Sequence, residues 1–167
     1  MKPVVGFLGN SLGMTELQEK NLHALLDELN VDVIHHTNAS GAERDAHYMF
    51  LCGSHAEINV HEPLDYYGRA VATPIEPRVI ARPYQSALAA TVAVLAASDL
   101  IIVAPANHTD RNMKQLLAGT KKGQAQVFAS IVCRTEPLVR EAARLNKKLI
   151  ILREDGQVIR YEQEQNG

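Results

Sequence analysis

The chain has 167 residues, 46% hydrophobic and 22% charged; such a chain buries about 70% of its unfolded surface in one core, and the balance argues against intrinsic disorder. Seventeen basic and nineteen acidic residues leave a net charge of −2, so there is no overall pull toward nucleic acid. No apolar run approaches the roughly 18 residues of a membrane span, the N-terminal residues lack the long apolar region of a signal peptide, and two distant cysteines, Cys52 and Cys133, make neither a disulfide framework nor a zinc site.

The elements follow in chain order. Val4–Leu8 is apolar at successive positions, as in a strand covered on both faces, and Gly9-Asn10-Ser11 ends it. Thr15 and Gln18 stand at the N-cap and N3 spacing of a capping box. Leu17, Leu22, Leu25, Leu26 and Leu29 then mark one helical stripe. Val31–Ile34 reads as a second strand, Asn38 to Gly41 as a turn, Ala42–Leu51 as a second helix and Ile58–Val60 as a third strand. Pro63, Pro74, Pro77 and Pro83 crowd the stretch from Glu62 to Pro83, which predicts a surface loop. Gln85–Ala97 is an alanine-rich helix and Asp99–Pro105 the strongest strand signal in the chain. Asn112–Ala118 reads as a short helix. Glu136–Leu145 reads as a longer one, entered through Thr135 and Pro137. Leu149–Leu152 is a buried strand, and Asp155-Gly156 turns the chain into Gln157–Tyr161. Strands alternating with helices predict an α/β fold with a mainly parallel central sheet and helices on both faces. One domain over 1–161 and a polar tail over 162–167 are expected, in a reduced, cytoplasmic setting.

In such a sheet, ligands bind outside the carboxyl ends of the strands, where strand order reverses. The residues there are small, polar or rich in donors: Gly9, Asn10 and Ser11; Ser40 and Gly41; His61; Pro105; and Arg134 with Thr135. Helix N-termini behind Ser11, Ser40 and Thr135 would present free N–H groups to a phosphate. Tight turns alone account for small residues equally well, and no GxGxxG or Walker pattern is present.

The order of these segments carries a resemblance. VVGFLGNSLGMT, HHTNASGAERDAH, VHEP, RPY, ASDLIIVAP and RTEPLVREAARLNKKLIILREDG together resemble the SLOG superfamily, over about Val4 to Gly156, with an apparent insertion between Asn107 and Cys133. Relatives in that group include the DNA-processing proteins and the Lonely-Guy phosphoribohydrolases. The resemblance implies a Rossmann-like fold that binds nucleotides or nucleotide-derived signals and, in some members, hydrolyses an N-glycosidic bond. It places the first family loop on Gly9, Asn10 and Ser11, and the second on Gly41, Ala42 and Glu43, with His47 following. The strand-end pattern falls on Ala104, Pro105 and Ala106, and the phosphate turn on Arg134 and Thr135.

The departures shape the functional reading. Arg134 stands where the family has a glycine, and a guanidinium there could fork onto the same phosphate. Leu138 stands where the hydrolysing members carry glutamate, Thr37 replaces a glycine, and Ala87-Leu88 replaces an arginine-asparagine pair. A hydrolase needs a carboxylate for the proton or the oxocarbenium charge. Glu43, Asp45, Glu136 and Glu141 are the carboxylates available for it, with Glu43 and Glu136 preferred. Binding of a nucleotide or nucleotide-derived molecule, of the ADP-ribose type, is therefore placed ahead of N-glycosidic hydrolysis. Glu43 and His61 are assigned to ribose or base, and no cofactor is implied.

Three features remain. His35, His36, His47 and His61 could gather at one sheet edge, but no metal-ligand spacing relates them, so a structural or ligand-contacting role is expected. Arg111, Lys114, Lys121 and Lys122 form a basic stretch read as a solvated loop. The alanines between Ala87 and Ala97 suit close helix packing, within the fold or in a homo-oligomer, and Cys52 is expected in the core.

Overall fold

The computed structural model describes residues 2–10, 12–37, 39–64, 76–84, 86–106, 141–142 and 144–161. Within them the chain runs β1 (Val4–Gly9), α1 (Glu16–Leu29), β2 (Val33–His36), α2 (Ala42–Gly53), β3 (Glu57–Pro63), β4 (Val79–Tyr84), α3 (Ala87–Ala97), β5 (Leu100–Ala104), β6 (Lys148–Leu152) and β7 (Val158–Tyr161). The seven strands form one sheet in the order β4-β3-β2-β1-β5-β6-β7. All pairings are parallel except the β6–β7 hairpin, which turns at Gly156 in the left-handed region (φ 87°).

Two apolar layers sandwich the sheet. On one face Val5, Phe7, Ile34, Ile58, Val60 and Ile102 pack with α1 and α2. On the other, Leu8, Ile101, Val103, Leu149 and Ile151 pack with Val94 and Leu95 of α3 and with Ala142. The result is a Rossmann-like three-layer α/β fold, as the alternating pattern predicts. No helix among the described residues is long and apolar enough to cross a membrane.

The capping box forms as expected. Thr15 N–H donates to Gln18 Oε1 at 2.9 Å, and Gln18 N–H to Thr15 Oγ1 at 3.3 Å. The apolar stripe behind it is shorter than its leucines suggest. Leu17 is 47% exposed, and Gln18 is buried instead. The Gln18 amide donates to the carbonyls of Pro105 and Leu152, both at 2.8 Å, so a polar strut from α1 ties the ends of β5 and β6.

The proline-rich stretch is not loop throughout. Val79–Tyr84 is a parallel strand on β3, at the sheet edge, where Pro83 costs no central ladder bond. Arg78 fastens its start to the C-terminal end of α2, donating to the carbonyls of Phe50, Leu51 and Ser54. Cys52 is exposed on α2, not in the core. The helix expected over Asn112–Ala118, the start of the one expected over Glu136–Leu145, the basic stretch and the tail lie outside the described residues. Glu141, Ala142 and Arg144 are helical.

Candidate functional site

The strand order reverses between β1 and β5: β2, β3 and β4 lie to one side of β1, and β5 opens the other. The crevice outside these two carboxyl ends is where an open α/β sheet takes its ligand. Asn10 closes β1 there and is buried. Its backbone N–H and its Nδ2 both donate to the Ala104 carbonyl, at 3.1 and 2.9 Å. Its Oδ1 accepts from the N–H groups of Leu12 (2.8 Å) and Gly13 (3.1 Å). The Asn10 side chain therefore organises the turn. The residue's backbone N–H and one of its two Nδ2 protons are spent on Ala104.

Helix α2 is drawn into the same crevice. Ala42 N–H donates to the Asn10 carbonyl at 2.9 Å. The approach needs a glycine, because a Cβ on Gly9 would stand 2.5 Å from Ala42 Cβ. Gly41 caps α2 at φ 85°, ψ −133°, with no side-chain cap bond. The first turn instead carries Glu43 and Asp45, which complement the positive end of the helix dipole. Asp45 Oδ2 accepts Met14 N–H at 3.0 Å, joining α2 to the loop after β1.

Glu43 is 1% exposed. Its Oε2 accepts two bonds from Thr37, from N–H at 2.7 Å and from Oγ1 at 2.6 Å. Its Oε1 is buried without a hydrogen-bond partner. Only two other buried side-chain atoms among the described residues share that condition: His47 Nε2 and His61 Nδ1. All three lie around the ends of β2 and β3.

The four histidines do gather at this rim, as two pairs. His36 Nε2 meets His47 Nδ1 at 2.9 Å, and His35 Nδ1 meets His61 Nε2 at 2.8 Å. Consecutive strand residues point to opposite faces. His36 therefore lies on the α2 side, near Phe50, while His35 and His61 lie on the α3 side. Burial, before any other cause, holds His35, His47 and His61 below the ordinary imidazole range, His61 at about 4, and His36 well below it.

Of the residues singled out in the sequence, Gly9, Asn10, Gly41, Glu43 and Pro105 come together at the crevice end of the sheet. Ser40 is half-buried beside Gly41. His61 is on the other side of the sheet from Glu43. Ser11, Arg134, Thr135 and Glu136 lie outside the described residues. Asp45, one of the carboxylates available for hydrolysis, instead holds the loop after β1, and Gln18, expected only as a helix cap, also braces the strand ends. A β-strand alternation through His35-His36 was the available signal for the two histidine pairs.

No protein-family model, curated protein or solved structure matches the chain. The site's chemistry therefore rests on its own geometry. Among the described residues no group of three or more His, Cys, Asp or Glu side chains is arranged to hold a metal ion. A cavity of about 390 Å³ lies at the opposite end of the sheet, lined by Lys2, Leu29, Asp99, Lys148, Arg160 and Tyr161. There Lys2 pairs with Asp32 and Arg160 with Glu28.

Proposed function

We propose that the protein binds a nucleotide or nucleotide-derived small molecule, of the ADP-ribose type, in the crevice at the ends of β1 and β5. The observation that carries this reading is Glu43. A buried carboxylate with one oxygen doubly bonded and the other unpartnered carries a desolvation cost of about 1–3 kcal/mol or more. A ligand that donates a hydrogen bond to Oε1 removes that cost, and the hydroxyls of a ribose are such donors. The neighbouring frame is fixed beforehand: Asn10, Gly41 and Asp45 hold the loop after β1 against the start of α2. A rigid frame lowers the ordering cost of binding.

Calorimetric titration with nucleoside monophosphates and ADP-ribose tests the reading. One member of the panel binds the wild-type chain, and Glu43→Gln weakens it about tenfold or more, the cost of a lost charge-assisted bond. A panel with no binder, or equal affinity in Glu43→Gln, refutes it. The same unpartnered oxygen supports a second reading, hydrolysis of an N-glycosidic bond with Glu43 as the acting carboxylate. Chromatography of the titration mixtures separates the two, because free base appears under hydrolysis and Glu43→Gln abolishes it.

A further inference from the structure

His61 faces away from the crevice, and its surroundings form a site of a different kind. Strand alternation puts His35, Asn59, His61, Ile80, Arg82 and Tyr84 on the sheet face that α3 covers. His61 and Arg82 are register partners on β3 and β4. The His61 ring lies 5.1 Å from the His35 ring and 5.2 Å from the Tyr84 ring, at similar tilts of 38° and 37°. Its Nε2 is engaged by His35, and its Nδ1 is buried without a partner. Arg82 spends Nε on Asn59 Oδ1, at 2.8 Å. The described residues offer its two Nη groups no acceptor.

Among the described residues no carboxylate forms an ion pair with Arg82. Helix α3 reads ALAATVAVLAA and carries no charged residue. Glu57 stands on the same face of β3, and its carboxylate accepts from Asn59 Nδ2, so it reaches the guanidinium only through the Asn59 amide and leaves both Nη groups open. Glu62 points to the opposite face by alternation.

The chemistry left over selects an anion. A guanidinium with both Nη groups unspent offers a fork of donors. If His35 donates Nδ1–H to His61 Nε2, the neutral His61 ring carries its remaining proton on Nδ1 and is a donor too. A carboxylate has two oxygens, and the guanidinium fork takes both. A phosphoryl group has a third oxygen for the imidazole.

We propose that Arg82 and His61 form a phosphoryl-binding site on the α3 face of the sheet rim, with Arg82 forking onto two oxygens and His61 Nδ1–H meeting the third. His35 is a positioning residue, which fixes the His61 tautomer through the bond between the two rings. The site shares no residue with Asn10, Gly41 or Glu43, and it stands or falls separately from the crevice.

Long-range ¹H–¹⁵N NMR of the imidazoles tests it, with inorganic phosphate titrated into the whole chain at pH 7.5. The His35 and His61 nitrogens shift and saturate, while those of His36 and His47 stay put. Arg82→Gln raises the apparent Kd about tenfold or more, and Arg82→Lys, which keeps the charge but loses the fork, falls between. His35→Phe shifts the His61 tautomer signature and weakens phosphate binding even with Arg82 intact. Arg82 is exposed on an edge strand, and its variants are checked for an unchanged urea transition. The proposal is overturned if phosphate moves no His61 signal, if Arg82→Gln binds as well as wild type, or if acetate binds as tightly as phosphate.

Discussion

Asn10 shows how one side chain can hold a rim together. It bridges β1 to β5 through Ala104 and shapes the next turn through Leu12 and Gly13, all from a buried position. Asn10→Ala removes three hydrogen bonds, though Ala104 keeps its bond from the Asn10 backbone N–H. The expected loss is about 1–3 kcal/mol in urea unfolding, together with weakened ligand binding in the crevice. Asn10→Asp is the sharper probe. It keeps the acceptor for Leu12 and Gly13 but turns an oxygen toward the Ala104 carbonyl. It should be no more stable than Asn10→Ala at pH 7, and unchanged stability would show that the bridge is not what holds this turn. The importance of Asn10 was legible, because a polar residue directly after an apolar strand in an α/β chain sits at the ligand rim. Its role as a brace was not, since the partner carbonyl is 94 residues away. The histidine pairs hid for the same reason, with partners 11 and 26 residues apart and no local spacing to relate them.

Elements were legible where local chemistry and tertiary packing agree. The capping box at Thr15 and Gln18, the all-apolar β5 and the Asp155-Gly156 turn are local signals, and each forms. The edge strand β4 was not legible. Its residues VIARPY include a proline and an exposed arginine, and what makes them a strand is the ladder to β3. Propensity is weakest at such edges, because neighbours decide the outcome. Arg78 supplies much of that context. Its guanidinium bonds three carbonyls at the end of α2 and pairs with Glu76 at 2.6 Å. Arg78→Ala should cost about 2–3 kcal/mol, in line with lost charge-assisted bonds to groups left without partners. It should also speed amide exchange at Ile80 and Ala81 well ahead of Ile101 in β5. Uniform exchange across both strands would show that β4 does not depend on this latch. Arg78→Lys, with one ammonium in place of a fork, should recover only part of the loss.

At the scale of the whole molecule, the rim makes folding depend on pH. His35, His36, His47 and His61 are buried as neutral rings, and all four are held below the ordinary value of 6.5, with His61 at about 4. In the unfolded chain the same rings take up protons near pH 6.5. Between that pH and the lower folded values, the unfolded state binds protons that the folded state refuses. Stability is therefore full about one unit above pH 6.5 and falls as the pH drops through it, by at most about 1.4 kcal/mol per pH unit for each ring inside its window. For His61 the loss ends near pH 4, where the folded ring also protonates. The direction is set by burial, the largest cause at each of the four. Carboxylates such as Glu28, whose pairing with Arg160 lowers its pKa, add their own loss only further down, below their unfolded value of 4.5. The window from 6.5 to 4.5 thus reports on the histidine rim. Urea midpoints measured at pH 7.5, 6.5, 5.5 and 4.5 should fall slightly over the first interval and more steeply over the next two. His61→Gln should flatten the fall whatever it does to the midpoint at pH 7.5, since it removes a titrating group. A wild-type profile that stays level from 7.5 to 4.5 would mean that the imidazoles reach water in the folded state, and that the rim is open where its geometry says it is closed.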